Sequence, residues 1–223
     1  MQKSSFHGKI KLATKEERIS LMNYIFAVLL GYLLGSSSMS FYLSKWKNVD
    51  LRSKGSKNLG ASNTMILMGW KAGIIVALHD IGKAFLAVIL AKLLFPTTLH
   101  IGAVAGVASV FGHIFPFYLR FKGGKGFASY IGMTLALNWR FALVLIIAVA
   151  LITLITDYIV LGTFTTIISV PAYMGVTNHS YMLALILLAG TLVILYKHRE
   201  NIPRLLNGTE IGLRSANRGD HRK

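Results

Sequence analysis

No cysteine occurs anywhere in the 223 residues. That absence excludes disulfides, thiolate nucleophiles and zinc–thiolate centres. Charge is also scarce: 14% of the chain is Asp, Glu, Lys or Arg, and only eight residues are acidic. With no carboxylate cluster and no H-E-x-x-H pattern, no metal centre is expected. Internal repeats with a period of about 20–50 residues are missing, as are low-complexity linkers. A secretory leader is not expected either. The first residues are polar and basic, and no small-residue cleavage pattern follows the first apolar run.

What is abundant is apolar side chain, at 54% of the sequence, more than a water-facing domain of this length tolerates. It arrives in blocks: Phe141–Thr156 and Tyr181–Tyr196 each run sixteen residues without a charge. Blocks of that size approach the length a bilayer core demands. The expected fold is therefore all-α, a single polytopic helical bundle of about seven transmembrane helices. The spans fall at Leu21–Ser44, Ala72–Phe95, Leu99–Tyr118, the short Phe127–Leu137, Phe141–Thr156, Ile159–Val176 and Ser180–Tyr196. A polar extension (1–20) precedes the membrane domain (21–210), and a basic tail (211–223) follows it.

The formal net charge is +16. A basic chain suits nucleic acid, because neutralising phosphates releases counterions. In a membrane protein the same surplus gathers in cytoplasmic loops facing anionic lipid. Membrane lipid, and no nucleic acid, is the expected partner. Placing the C-terminus in the cytoplasm puts sixteen Lys and Arg inside, within Lys45–Lys71, Leu119–Gly126 and Lys197–Lys223, against Lys92 and Arg140 in the external turns. Only the N-terminal tail disagrees, since it lies outside yet carries five basic residues. A six-span arrangement with Phe127–Leu137 re-entrant would bring both termini inside, but the charge rule tolerates exceptions and seven is preferred.

Three inner-face stretches carry the polar chemistry. The first holds Arg52, Lys54, Gly55, Ser56, Lys57, Asn58, Gly60 and Asn63. Glycines let backbone N–H groups converge on phosphate oxygens, and the Ser, Asn and basic side chains add donors. A solvated basic loop is the competing reading. In the second, Gly123, Gly124 and Gly126 flank Lys125 just before a helix start, where the dipole favours anions. It is not a Walker P-loop, because Phe127 stands where Ser or Thr would hold magnesium. In the third, His198 and Asn201 are three residues apart, on one face of a helical extension. Asp80 and Lys83 lie inside an apolar span at i, i+3, and His113 lies near the inner end of its span. Such residues are functional candidates, with a structural ion pair or packing equally open.

Together these stretches read GSKNLGASN, GHIFPFYLRFKGGKG and HRENIPRLLNGTE. They resemble the bacterial acyl-phosphate:glycerol-3-phosphate acyltransferases, the PlsY family, whose pattern is roughly GSGNxGATN, GHxFPxFxxFKGGKG and HRENIxRLxxGTE. The resemblance runs from about Gly31 to Glu210, with the intervening spans in register. It implies transfer of a fatty acyl group from acyl phosphate to glycerol 3-phosphate, giving lysophosphatidic acid and phosphate for phospholipid biosynthesis. It further implies a multi-pass enzyme of the inner (cytoplasmic) membrane, without a cofactor, whose active site faces the cytoplasm. Ser56, Lys125, His198 and Asn201 match family active-site positions. Gly55, Asn58, Gly60 and Asn63 match the loop that cradles the acyl phosphate. Thr163 stands where the family usually has serine. No histidine is followed five residues later by aspartate, so the H-x-x-x-x-D acyltransferase arrangement is absent.

Five departures stand out, the mildest being Ser62 in place of a family threonine. Ile66 occupies the place of a family arginine, Lys57 that of a glycine, Asp157 that of an arginine and Val160 that of a serine. Altered or weakened acceptor binding, or a paralogue without turnover, is therefore an alternative. An anion transporter is another, but it would hold its polar groups near the bilayer midplane, whereas here they gather at one face.

Overall fold

The computed structural model describes residues 14–213. Residues 1–13 and 214–223, and with them most of the polar extension and the basic tail, lie outside the described residues. Helices make up all of the regular structure among the described residues.

Helix α1 (Lys15–Ser36) starts within the expected extension. Thr14 caps it: its hydroxyl accepts from the Glu17 amide, and the Glu17 carboxylate accepts from the Thr14 amide. The expected first span is not continuous. It breaks at Ser37 and Ser38, and α2 (Met39–Lys47) restarts with Ser38 as its cap. A serine pair can bend a helix, but the freed carbonyls need donors. Tyr118 donates to the Ser36 carbonyl at 3.0 Å and Lys83 to that of Ser37 at 2.6 Å.

A loop leads to α3 (Ala61–Met68), then α4 (Trp70–Leu94) and α5 (Ile101–Ile114). Nearly all of α5 is buried, which makes it the post around which the bundle packs. Gly31 and Gly35 let α1 lie directly on it. A Cβ at either glycine would collide with a carbonyl oxygen, that of Ala105 or of Ser109. Small residues four apart bring membrane helices into such contact when lipid supplies no hydrophobic drive between them.

A 3₁₀ turn (Phe117–Leu119) and a glycine-rich loop lead into α6 (Phe127–Leu137). Then come α7 (Trp139–Thr156), α8 (Ile159–Thr177), α9 (Tyr181–Lys197) and the short α10 (Asn201–Leu206). Among the described residues, five segments are long and apolar enough to cross a membrane, counting α1 with α2, and α5 with the 3₁₀ turn, as one each. Helix α6, with 11 residues, is only about 16 Å long at 1.5 Å per residue. It packs between longer neighbours, with Gly132 against the Ile81 carbonyl of α4. Tyr130, Met133, Val110, Leu187 and Ile194 fill the main core between α5, α6 and α9.

Candidate active site

The first loop is built by one side chain. Asn63, buried in the first turn of α3, accepts from the Ser56 amide at 2.8 Å. Its Nδ2 donates to the carbonyls of Leu51 (2.8 Å), Asn58 (3.1 Å) and Lys54 (3.3 Å). Leu51 and Leu59 anchor the loop below, packed with Leu119. The turn so forced places Gly55 and Lys57 at φ +60 and +52. That region suits glycine and strains lysine.

The second loop folds back on the end of α5. The Gly123 amide donates to the Ile114 carbonyl (3.0 Å) and the Gly124 amide to that of His113 (3.1 Å). Both glycines are therefore committed to packing against α5, and a Cβ on either would collide with His113. Lys125 follows, directed inward, and Gly126 at φ +93 opens α6. Burial pushes the Lys125 ammonium below the usual lysine range, opposed by the nearby Glu210 carboxylate.

The third element is the turn after α9. His198 Nδ1 donates to the Ile194 carbonyl at 2.8 Å, leaving Nε2 as the acceptor nitrogen. Burial pushes the imidazole down to about 4, so it is neutral at neutral pH. Lys125 donates to Asn201 Oδ1 at 2.6 Å, and Asn201 Nδ2 donates to Glu210 Oε1 at 2.6 Å. Glu210 thereby dictates which way the Asn201 amide points.

These elements enclose a cavity of about 290 Å³. Ser56, Asn58 and Gly60 of the first loop, Lys125 and Gly126 of the second, and His198 and Asn201 of the third all line it, with Thr163 of α8. The Thr163 hydroxyl also donates to the Ile159 carbonyl at 3.2 Å. Deeper along the helices the lining turns apolar, with Ile81, Ile131, Ile146 and Val149. Asp80 and His113 line the cavity as well, whereas the other loop residues singled out in the sequence lie away from this lining. Gly55 and Asn63 shape the first loop, and Gly123 and Gly124 seat the second. Lys57 is exposed, and Arg52 ties the two loops by donating to the Lys122 carbonyl at 3.0 Å. Among the described residues no group of His, Asp and Glu side chains is arranged to hold a metal ion.

Glu210 stands in the third sequence stretch, but nothing there marks it as a partner of Asn201. Their meeting depends on the chain reversing after Gly208, at φ +66. Ile66 and Val160, two of the departures from the family pattern, also line the cavity.

The family model described as glycerol-3-phosphate acyltransferase matches residues 25–208. The chain belongs to that family. Among its relatives, glycerol-3-phosphate acyltransferase 1 of Oceanobacillus iheyensis is 38% identical over 203 residues, covering 87% of this chain and 97% of the relative. The glycerol-3-phosphate acyltransferase of Aquifex aeolicus is 37% identical, covering 85% and 98%. The fold matches the crystal structure of PlsY (YgiH), an integral membrane glycerol 3-phosphate acyltransferase, in its glycerol 3-phosphate form. That match has a TM-score of 0.80 at 35% identity, over 85% of this chain and 94% of the other.

Proposed function

We propose that this chain transfers a fatty acyl group from acyl phosphate to a hydroxyl of glycerol 3-phosphate at the cytoplasmic face of the inner membrane, releasing lysophosphatidic acid and inorganic phosphate. The observation that carries the reading is the meeting of Ser56, Lys125, Thr163, His198 and Asn201 around one cavity, although they come from four separate stretches of chain. The polar groups sit at helix ends, beside soluble glycerol 3-phosphate. The apolar lining runs into the bundle, where an acyl chain fits.

In this reaction the acceptor oxygen forms an ester bond to the acyl carbon while the carbon–oxygen bond to phosphate breaks. An acyl phosphate is already activated, so no protein nucleophile is needed. The cavity supplies proximity and charge: Lys125 neutralises phosphate, and Ser56, Asn58 and Asn201 orient oxygens. The hydroxyl proton needs an acceptor. His198, at about 4, is a weaker base than a phosphate group, whose second pKa lies near 6 in monoesters. The proton therefore passes to the departing phosphate, and His198 Nε2 holds the acceptor in place by accepting a hydrogen bond from its other hydroxyl.

The test uses purified protein, acyl phosphate and labelled glycerol 3-phosphate, comparing wild type with Lys125→Ala and His198→Ala. Wild type forms labelled lysophosphatidic acid. Lys125→Ala loses about 10²–10³-fold in kcat, the scale of a lost charge-stabilising donor. Full activity in both variants, or none in wild type, overturns the proposal.

A further inference from the structure

Behind the second loop lies a group of charged side chains that the proposed chemistry does not use. Asp80, Lys83 and His113 are 2%, 7% and 6% exposed within the helical bundle, and Asp80 and His113 reach the wall of the cavity. Lys83 Nζ lies 2.8 Å from Asp80 Oδ1 and donates to the Ser37 carbonyl at the break between α1 and α2. It also lies 2.8 Å from His113 Nδ1. Asp80 Oδ1 lies 3.3 Å from the same Nδ1, so this ring nitrogen faces both members of the pair. His79, at the rim, touches both Asp80 (3.4 Å) and the Ser37 hydroxyl (3.0 Å).

The far edge of the His113 ring meets the glycine loop. Nε2 occupies the space that a side chain at Gly124 would need, and the His113 carbonyl accepts from the Gly124 amide. The next residue is Lys125. A buried ion pair is costly to keep and seldom stabilises more than apolar packing would, so its presence calls for a use. Here it immobilises the side chain on which Gly124 rests, and it fastens that side chain to the break between α1 and α2.

We propose that Asp80, Lys83 and His113 form a positioning unit for Lys125: the pair holds the His113 ring against Gly124, and the ring sets where the Lys125 ammonium stands in the cavity. This rests on the phosphate-binding role proposed above for Lys125. A ring that relaxes lets the Gly123–Gly126 turn sink toward α5 and draws the ammonium away from Asn201. Misplacement by about 1 Å costs as much as 100-fold in rate.

The deciding variant is His113→Asn. Its amide can stand in for Nδ1 toward Lys83 and Asp80, so the buried charges keep a partner, while the ring edge against Gly124 is gone. Expected are an unchanged thermal midpoint, a kcat/KM for acyl transfer lower by about 10- to 100-fold, and faster hydrogen exchange at the amides of Gly123 and Gly124. A second variant, Asp80→Leu with Lys83→Met, replaces the pair by apolar groups. It is expected to lower kcat/KM similarly, and adding His113→Asn to it brings little further loss, because both act through one contact. Wild-type kcat/KM together with wild-type exchange in folded His113→Asn overturns the proposal. So does a lowered thermal midpoint with kcat/KM per folded molecule unchanged, which is the behaviour of a purely structural cluster. If wild type itself transfers no acyl group, the proposed activity fails, and the exchange comparison still decides the positioning.

Discussion

Replacing Ile66 by arginine should tighten binding of the acceptor. Ile66 lies on α3, three residues beyond the loop clamp Asn63, and its side chain lines the cavity. Among the described residues, Lys125 is the one lysine or arginine in that lining. Two phosphate-bearing substrates bring about −1.5 to −2 charges each, so one ammonium leaves most of the anionic charge unmatched by basic side chains. A guanidinium at position 66 can add a charge-assisted hydrogen bond, a net contribution of about 1.5–3 kcal/mol. That converts to about 10- to 150-fold in affinity. Position 66 is only half-buried, so the arginine stem can lie along Ala77 and Ile81 while its head stays near the polar groups, which limits the desolvation cost. The assay is initial-rate acyl transfer with glycerol 3-phosphate varied at saturating acyl phosphate. A contact made equally in ground and transition states lowers KM and leaves kcat alone. If Ile66→Arg folds with an unchanged thermal midpoint and both constants match wild type, the cavity wall at Ile66 does not meet the acceptor phosphate, and the reasoning fails.

Three further outcomes follow from the same geometry. Lys57→Gly relieves a lysine held at φ +52 and should raise stability by about 0.5–1 kcal/mol; a lowered thermal midpoint would mean that the lysine side chain holds the loop. Gly35→Val drives a side chain into the Ser109 carbonyl and should separate α1 from α5, giving aggregated protein on size-exclusion chromatography, whereas a monodisperse, active variant contradicts that packing. The pH profile of kcat/KM should show an alkaline fall beginning below the usual lysine range, because the lowered Lys125 loses its proton as pH rises through that value. Lys125→Arg, which keeps its charge, should lose that limb, and a limb that persists there assigns it to another group. His198, neutral down to about 4, should add no acid limb near neutral pH.

The parts of this fold that show in the sequence are those written in consecutive residues. Sixteen-residue apolar blocks announce α7 and α9, and loop chemistry concentrated between spans announces where substrates gather. Other features depend on partners distant in sequence. The break at Ser37 and Ser38 is stable because Lys83 and Tyr118 reach its carbonyls; without those partners the stretch reads as one continuous span. Gly31 and Gly35 look like ordinary small residues until α5 is laid across them. The glycine loops read as phosphate cradles, yet Gly123 and Gly124 spend their amides on α5 carbonyls, and Asn63 spends its side chain on holding the first loop closed. What faces the cavity is a smaller set, and Glu210 joins it only through a chain reversal that no local pattern signals.

The central claim is that one cavity receives both phosphate-bearing substrates beside Lys125. The most direct test is a crystal structure of the protein with glycerol 3-phosphate and a non-hydrolysable acyl phosphonate bound together. The account predicts two phosphorus positions inside the cavity, with Lys125 Nζ within hydrogen-bond distance of a phosphate oxygen and the alkyl chain running past Ile131 and Val149. Phosphorus density elsewhere on the molecule, with this cavity occupied by neither ligand, would contradict it.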